Sequence, residues 1–383
     1  MRLSSRLIHG SGHSSDGGVV PAIQLSSTFL QPTDGSFGEF VYQRGGNPTR
    51  NAAEKLLASI EDASHAALTS TGMAATAAVF SRLKPGDKVL LSRSLYGGTY
   101  RYVTRYFPQQ GISFDFLDNP NELRPEDIGD DVALVFIETP ANPTLEVFDI
   151  AHIARVTHAR GAILAVDNTF MTPLLQRPLD EGADVVVYSA TKYLGGHGDV
   201  LAGLVVTNNA AIHEDVTFFR KTFGPSLSPF DSYSLLRGVK TLDVRLQRQQ
   251  ETTLKVIDFL QSRSEVTAVN FPGSRSAEQA QIHARQARGL GAVISFELAP
   301  DLNRIAFLDA LGFIGYAVSL GGVESLICTP ANMTHESFSA EDRAAAQIPD
   351  GLLRLAVGIE DSRDIIDLLA AGLAAASPTT TTN

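Results

Sequence analysis

Short apolar runs separated by polar, turn-forming stretches set the rhythm of this chain. Between about Asn47 and Leu236, the runs Val89 to Leu91, Ala133 to Ile137, Ile163 to Val166, Val185 to Tyr188 and Leu201 to Val206 alternate with stretches of helical period. Strands this uniformly apolar are buried on both faces, which predicts an α/β domain: a mixed, mostly parallel sheet with covering helices. One covering helix is legible to its ends. Asp149 predicts the N-cap, Ile150, Ile153 and Val156 mark one face, Arg155 and Arg160 enrich the later turns, and Gly161 allows a left-handed stop. A second helix is expected from Gly72 to Leu83, ended by Lys84-Pro85-Gly86. Past Arg237 the alternation breaks. A long helical stretch over Val239 to Ser262, then strands over Ala292 to Leu298 and Leu353 to Val357, predict a smaller α+β C-terminal domain. The expected division is residues 1–45 as an extended arm, 46–236 as the large α/β domain, 237–376 as the small domain, and 377–383 as a disordered tail with nothing to pack.

Composition narrows the function. With 383 residues, 44% hydrophobic and 19% charged, the chain is globular and long enough for two or three domains. Its net charge of -11 argues against nucleic acid and anionic membranes as partners. The N-terminus MRLSSRLIHG lacks the apolar stretch of a signal peptide, and the longest clean apolar run, Val132 to Ile137, is far too short to span a bilayer. The single cysteine, Cys328, excludes an intramolecular disulfide and any Cys-rich zinc site, which fits a reducing cytoplasm. No ligand cluster predicts a metal, and the sequon Asn332-Met333-Thr334 reads as chance without a secretory route.

In a parallel α/β sheet, ligands gather beyond the carboxyl ends of the strands. Those positions are unusually polar here. Ile163 to Val166 runs into Asp167-Asn168-Thr169, Val185 to Tyr188 into Ser189-Ala190-Thr191-Lys192, and Ala133 to Ile137 into Glu138-Thr139-Pro140-Ala141-Asn142-Pro143. A lysine just past a buried strand has a lowered pKa and an amine suited to attack a carbonyl. If that carbonyl is pyridoxal phosphate, a carboxylate is needed at the pyridine nitrogen, and Asp167 is the natural candidate. Ser70-Thr71-Gly72-Met73, opening a helix, offers backbone donors for the phosphate, with hydroxyls from Ser189 and Thr191. Tyr96, shortly after the Val89 run, supplies an aromatic face for the ring. Each of these residues alone is ordinary; their succession along one sheet rim is what points to a cofactor cradle.

The chain resembles the Cys/Met metabolism family of pyridoxal-phosphate enzymes, which includes cystathionine γ-synthase, cystathionine γ- and β-lyases and methionine γ-lyase. The resemblance spans roughly Val19 to Leu369. It is carried by Tyr42-Gln-Arg-Gly-Gly-Asn-Pro-Thr49, Ser70-Thr-Gly-Met73, Leu95-Tyr-Gly-Gly-Thr99, Glu138-Thr-Pro-Ala-Asn-Pro-Thr144, Val166-Asp-Asn-Thr-Phe-Met-Thr-Pro173, Ser189-Ala-Thr-Lys-Tyr-Leu-Gly-Gly-His-Gly-Asp199, Ser319-Leu-Gly-Gly-Val-Glu-Ser-Leu326 and Leu353-Arg-Leu-Ala-Val-Gly-Ile-Glu-Asp361. It implies the fold of type I pyridoxal-phosphate-dependent transferases. It further implies Lys192 as the Schiff-base lysine, Asp167 at the pyridinium nitrogen, and Tyr96 stacked on the ring and able to assist as acid or base. Gly72, Met73, Ser189 and Thr191 hold the phosphate, joined by Tyr42 and Arg44 from a neighbouring subunit of a homotetramer built as a dimer of dimers. Arg354 takes the substrate α-carboxylate, with Asn142 and the Ser319 region beside it.

The resemblance implies γ-elimination on a small amino-acid substrate such as cystathionine or methionine, or alternatively γ-replacement. Two positions divide the subgroups. Gly98 stands where the methionine γ-lyase type carries cysteine, and Val318 stands where cystathionine γ-lyases and γ-synthases carry a glutamate for the distal ammonium. Ser189-Ala-Thr-Lys192 also satisfies the S-x-x-K pattern of serine acyl-transfer enzymes, but the accompanying Ser-Asp-Asn and Lys-Thr-Gly elements are absent.

Overall fold

A computed structural model of the chain describes residues 1–14 and 17–376. The sequence expectation for 377–383 lies outside the described residues. The larger sheet contains β1 (His65–Thr69), β2 (Lys88–Ser92), β3 (Ser113–Leu117), β4 (Val132–Glu138), β5 (Ile163–Asp167), β6 (Val185–Tyr188) and β7 (Gly203–Thr207), in the order β1-β7-β6-β5-β4-β2-β3. Strands β3, β2, β4, β5 and β6 run parallel, while β7 is antiparallel to both β6 and β1. The parallel strands at the centre are the uniformly apolar runs, because both of their faces are covered. Leu90, Val135, Ile137 and Val166 join one core, and Val89, Leu91, Phe136 and Ala165 join the other, on the opposite face.

The helices form where the residue pattern allows. Asn47 caps the helix Pro48–Ile60 with its side chain on the N–H groups of Thr49 and Arg50, and proline at the first helical position costs no hydrogen bond. Helix Ile150–His158 starts at the expected cap, with the Asp149 carboxylate accepting from His152 N–H, and Gly161 follows in the left-handed region at φ 73°. The helix expected from Gly72 ends at Phe80.

Two expectations change. Residues 1–45 are not wholly extended: Leu3–His9 forms a helix that buries Leu7 in the main core. The long helix expected over Val239 to Ser262 is Leu242–Gln261, but a separate helix, Pro229–Val239, precedes it, so the expected boundary at 236 falls inside a helix. The break serves packing. Arg245 folds back to donate to the carbonyls of Tyr193 and Gly238, and a Cβ on Gly238 would lie 2.1 Å from the Gly195 carbonyl oxygen.

The smaller sheet contains β8 (Val266–Asn270), β9 (Val293–Leu298), β10 (Gly315–Tyr316), β11 (Leu326–Cys328) and β12 (Leu353–Ala356), in the order β10-β11-β12-β9-β8. It is antiparallel except for β10 with β11. Among the described residues, no helix is long and apolar enough to cross a membrane.

Candidate active site

The carboxyl ends of β4, β5 and β6 converge on a cavity of about 470 Å³. Its lining includes Gly72, Met73, Tyr96, Glu138, Asn142, Asp167, Ser189, Thr191, Lys192, Val318, Ser319 and Arg354. A larger hollow of about 630 Å³ beside Arg275 and Arg343 contains none of them.

Lys192 follows β6 by one short turn, and its Nζ donates to Ser319 Oγ at 3.0 Å. Burial, with the Arg354 charge adding to it, brings its pKa from 10.5 down to about 8. The S-x-x-K reading would need this amine on Ser189; it is engaged with Ser319 instead. Asp167 ends β5, directly beside β6. Thr169 donates to Asp167 Oδ1 through both its N–H and its hydroxyl. Burial still raises the carboxyl to about 6 against those bonds. In register across β4 and β5 sits Glu138, pushed higher by burial and by the Asp167 charge, with Oε2 accepting from Tyr96 N–H at 2.7 Å.

Arg354 is buried on β12. Its Nη1 donates to Asn142 Oδ1 at 2.8 Å and its Nη2 to the Ser319 carbonyl at 2.9 Å, while its buried Nε makes no hydrogen bond. Ser319 holds φ at 97°, a conformation that costs a non-glycine residue on the order of 1–3 kcal/mol and is kept only where the surroundings enforce it. That twist lets one residue present its hydroxyl to Lys192 and its carbonyl to Arg354.

Helix Gly72–Phe80 points its N-terminus into the same cavity. Thr71 caps it, its hydroxyl oxygen accepting from Ala74 N–H and its carbonyl from Ala75 N–H. The N–H groups of Gly72 and Met73 are therefore the donors left for a ligand. A Cβ on Gly72 would sit 2.8 Å from Ser189 Cβ, so glycine is what permits this approach. Tyr96 is 41% exposed at the cavity mouth, and a Cβ on Gly98 would come within 2.4 Å of its ring.

These groups suit pyridoxal phosphate: a helix end with spare donors for the phosphate, a buried carboxylate without a cation for the ring nitrogen, and a buried amine for the aldehyde. A family model described as "Cys/Met metabolism PLP-dependent enzyme" matches residues 4–374. The chain belongs to that family. It is therefore a pyridoxal-phosphate-dependent enzyme of the type I fold. It is 42% identical to a cystathionine gamma-lyase of Dictyostelium discoideum, over 95% of this chain and 96% of that protein. It is 40% identical to a cystathionine beta-lyase of Lactococcus lactis subsp. cremoris, over 95% and 97%. Among solved structures, cystathionine gamma-lyase from Lactobacillus plantarum complexed with L-serine superposes with a TM-score of 0.95 at 38% identity, covering 98% of this chain and 99% of that one. Cystathionine gamma synthase from Xanthomonas oryzae pv. oryzae, in complex with aminoacrylate and cysteine, gives 0.94 at 39%, covering 98% of both.

The sequence-derived residues fall into three groups. Gly72, Met73, Tyr96, Asn142, Asp167, Ser189, Lys192, Val318, Ser319 and Arg354 share the cavity. Thr191 lines it too, although its hydroxyl donates to the Ala202 carbonyl. Tyr42 and Arg44 lie outside it, Arg44 stacked 5.4 Å over the Tyr42 ring on the arm. Sequence reasoning missed the part played by Glu138, although its place at the end of β4 was visible. It also missed Arg101, Leu201 and Thr334, which reach the cavity from separate segments.

Proposed function

We propose that this enzyme catalyses γ-elimination on an amino acid with a sulfur-bearing γ-substituent, such as cystathionine or methionine; the substituent leaves as a thiol while water yields a 2-oxo acid and ammonia. The carrying observation is the Lys192–Ser319–Arg354 arrangement, in which one twisted residue ties the basic amine to the cation that receives a carboxylate. The names of the relatives, cystathionine gamma-lyase foremost, support the reaction class.

When bound, pyridoxal phosphate supplies the electron sink that allows protons to leave the α- and then the β-carbon. The chain supplies the rest. The N–H groups of Gly72 and Met73, with Ser189 and Thr191 beside them, receive the phosphate. Asp167 would balance a protonated ring nitrogen, and Tyr96 would offer the ring an aromatic face. Arg354, aimed by Asn142 and the Ser319 carbonyl, receives the α-carboxylate through its planar fork. Lys192 moves the α-proton: a pKa of about 8 leaves it partly neutral near pH 7, and Ser319 Oγ fixes where its Nζ points. Val318, half exposed at the mouth, offers the distal end of the substrate an apolar contact and no carboxylate.

The arm completes the reading. Val19, Leu25, Leu30, Phe37 and Tyr42 are each at least half exposed, a run of apolar surface that suits burial against a second copy. In a cytoplasmic homotetramer, Tyr42 and Arg44 then serve the phosphate of the neighbouring site. The test is incubation of holoenzyme with L-cystathionine, L-methionine and an O-acylated homoserine, with and without cysteine. Release of 2-oxobutanoate without thiol is the expected result. Pyruvate alone makes the enzyme a β-lyase, and turnover only with thiol makes it a γ-replacement enzyme.

A further inference from the structure

We infer that His335, which belongs to none of the cofactor- or substrate-contacting groups, is a positioning residue that sets Tyr96 and Arg354 at one distance from each other. The inference rests on the assignment of Tyr96 to the cofactor and Arg354 to the substrate carboxylate.

His335 is fully buried in the turn after Pro330–Asn332, with its own N–H donating to the Pro330 carbonyl. Its Nε2 lies 3.0 Å from the Leu95 carbonyl oxygen and 3.1 Å from that of Asn142. Both are acceptors, so Nε2 carries the hydrogen and shares it between them. Nδ1 then accepts from the Thr334 hydroxyl at 2.9 Å, which fixes the same tautomer from the other side of the ring. Burial lowers the pKa to about 4, so the ring stays neutral through the working range.

The two acceptors lie at the roots of two functional side chains. The Leu95 carbonyl belongs to the peptide that leads into Tyr96, and the N–H of that same peptide is held by Glu138. The peptide is gripped at both ends, which sets the direction in which the Tyr96 side chain leaves the backbone. The Asn142 carbonyl anchors the residue whose Oδ1 receives Arg354. One imidazole therefore joins the ring-covering residue to the carboxylate-binding residue. The surrounding strap fits the same purpose: Ser337 Oγ donates to the Gly97 carbonyl, and a Cβ on Gly97 would lie 2.1 Å from the Thr334 carbonyl oxygen, so the strap rests directly on the Tyr96 turn. The imidazole combines the required reach, a single N–H and an acceptor on the far side.

The test compares H335Q, whose amide can place an N–H near the position of Nε2, with H335M, of similar length but without a donor. Two buried carbonyls lose their donor in H335M, and kcat/KM is expected to fall on the order of 10- to 100-fold, chiefly through KM, with changed visible circular dichroism of the bound cofactor as Tyr96 moves. H335Q is expected to recover most of both. A merely structural histidine predicts a lower Tm for H335M with KM and the visible spectrum unchanged, or equal losses in H335M and H335Q, and either result overturns the inference. Should H335M fail to fold, H335N takes its place, because its shorter amide reaches the position of Nδ1 only. A wild-type holoenzyme that eliminates none of the candidate substrates defeats the proposed function instead, and does so before any His335 variant is made.

Discussion

If Lys192 is the amine that meets the cofactor aldehyde, as proposed, its neutral form is the reactive one, and the surroundings of this amine set a measurable pH dependence. Burial, and secondarily the Arg354 guanidinium, bring its pKa from 10.5 to about 8. Only an unprotonated amine attacks the cofactor aldehyde. At pH 7 a lysine with a pKa of about 8 is ~10% neutral, against ~0.03% for an ordinary one, so the folded site holds roughly 300 times more reactive amine. The perturbation is pH itself, applied to enzyme stripped of cofactor and mixed with pyridoxal phosphate in a stopped-flow absorbance experiment. The uptake rate is expected to rise about tenfold per pH unit below pH 7 and to level off above about pH 8.5, as the group titrates. A blocked free lysine, run in parallel, supplies the cofactor's own pH dependence for subtraction. In Arg354→Gln the bend moves to higher pH, by less than the whole shift because burial is the larger cause. A wild-type rate that goes on rising tenfold per unit through pH 10 means an ordinary lysine and refutes the reasoning.

Three further outcomes are expected. Glu61 is fully buried, accepts from the Tyr188 hydroxyl, and is raised by burial to about 8 from 4.5. The folded state therefore binds more protons than the unfolded chain in that window, and the contribution present below pH 4.5 is lost as pH rises through about 8. Glu61→Gln should remove a slope of up to ~1.4 kcal/mol per pH unit from stability measured by denaturant melts, and an unchanged slope counts against this. Val318→Glu should raise the ratio of cystathionine to methionine turnover several-fold by facing the distal ammonium with a carboxylate, and steady-state kinetics on both substrates decide it. If Arg44 serves a neighbour's phosphate, Arg44→Ala and Lys192→Ala chains are each inactive or nearly so, yet reassembled mixtures should recover about a quarter of wild-type activity, since half of random dimers carry one intact site of two. Mixtures that stay inactive place Arg44 in its own chain's site.

The chain's pattern revealed the strands that are buried on both faces and, in comparable detail, the helix capped by Asp149. β4, β5 and β6 were readable because none of their residues is exposed and all but Ala133, Ile163 and Asp167 are buried. β1, with two alanines among its five residues, carries no strand preference of its own and is held by pairing with β7. β3 is a half-exposed edge strand, so its sequence Ser-Phe-Asp-Phe-Leu lacks the continuous apolar signal. Leu3–His9 is a seven-residue helix, too short for its period to show, and is fixed by Leu7 reaching the core. Residues at strand ends were legible for the same reason as the strands, since the sheet itself delivers Asp167, Ser189 and Lys192 to one rim. His335 and Glu138 were not, because their roles depend on which distant carbonyl or N–H they meet, and spacing along the chain carries no trace of that.

The site divides along this same line. Gly72, Met73, Asp167, Ser189 and Lys192 come from the large sheet and its helices, whereas Val318, Ser319 and Arg354 come from the segment around the small sheet. Among the described residues, bonds that join the two parts of the chain around the cavity include Lys192 to Ser319, Arg354 to Asn142, His335 to Leu95 and Asn142, and Ser337 to Gly97. On the proposed roles, cofactor grip and substrate grip come largely from different segments, with Asn142 and Ser319 linking them. A variant that weakens the second set moves the α-carboxylate relative to Lys192 without touching the phosphate donors, so it should raise KM and lower kcat at full cofactor content. Loss of Asp167 or of the helix end at Gly72 should instead empty the enzyme of cofactor before any effect on substrate can be measured.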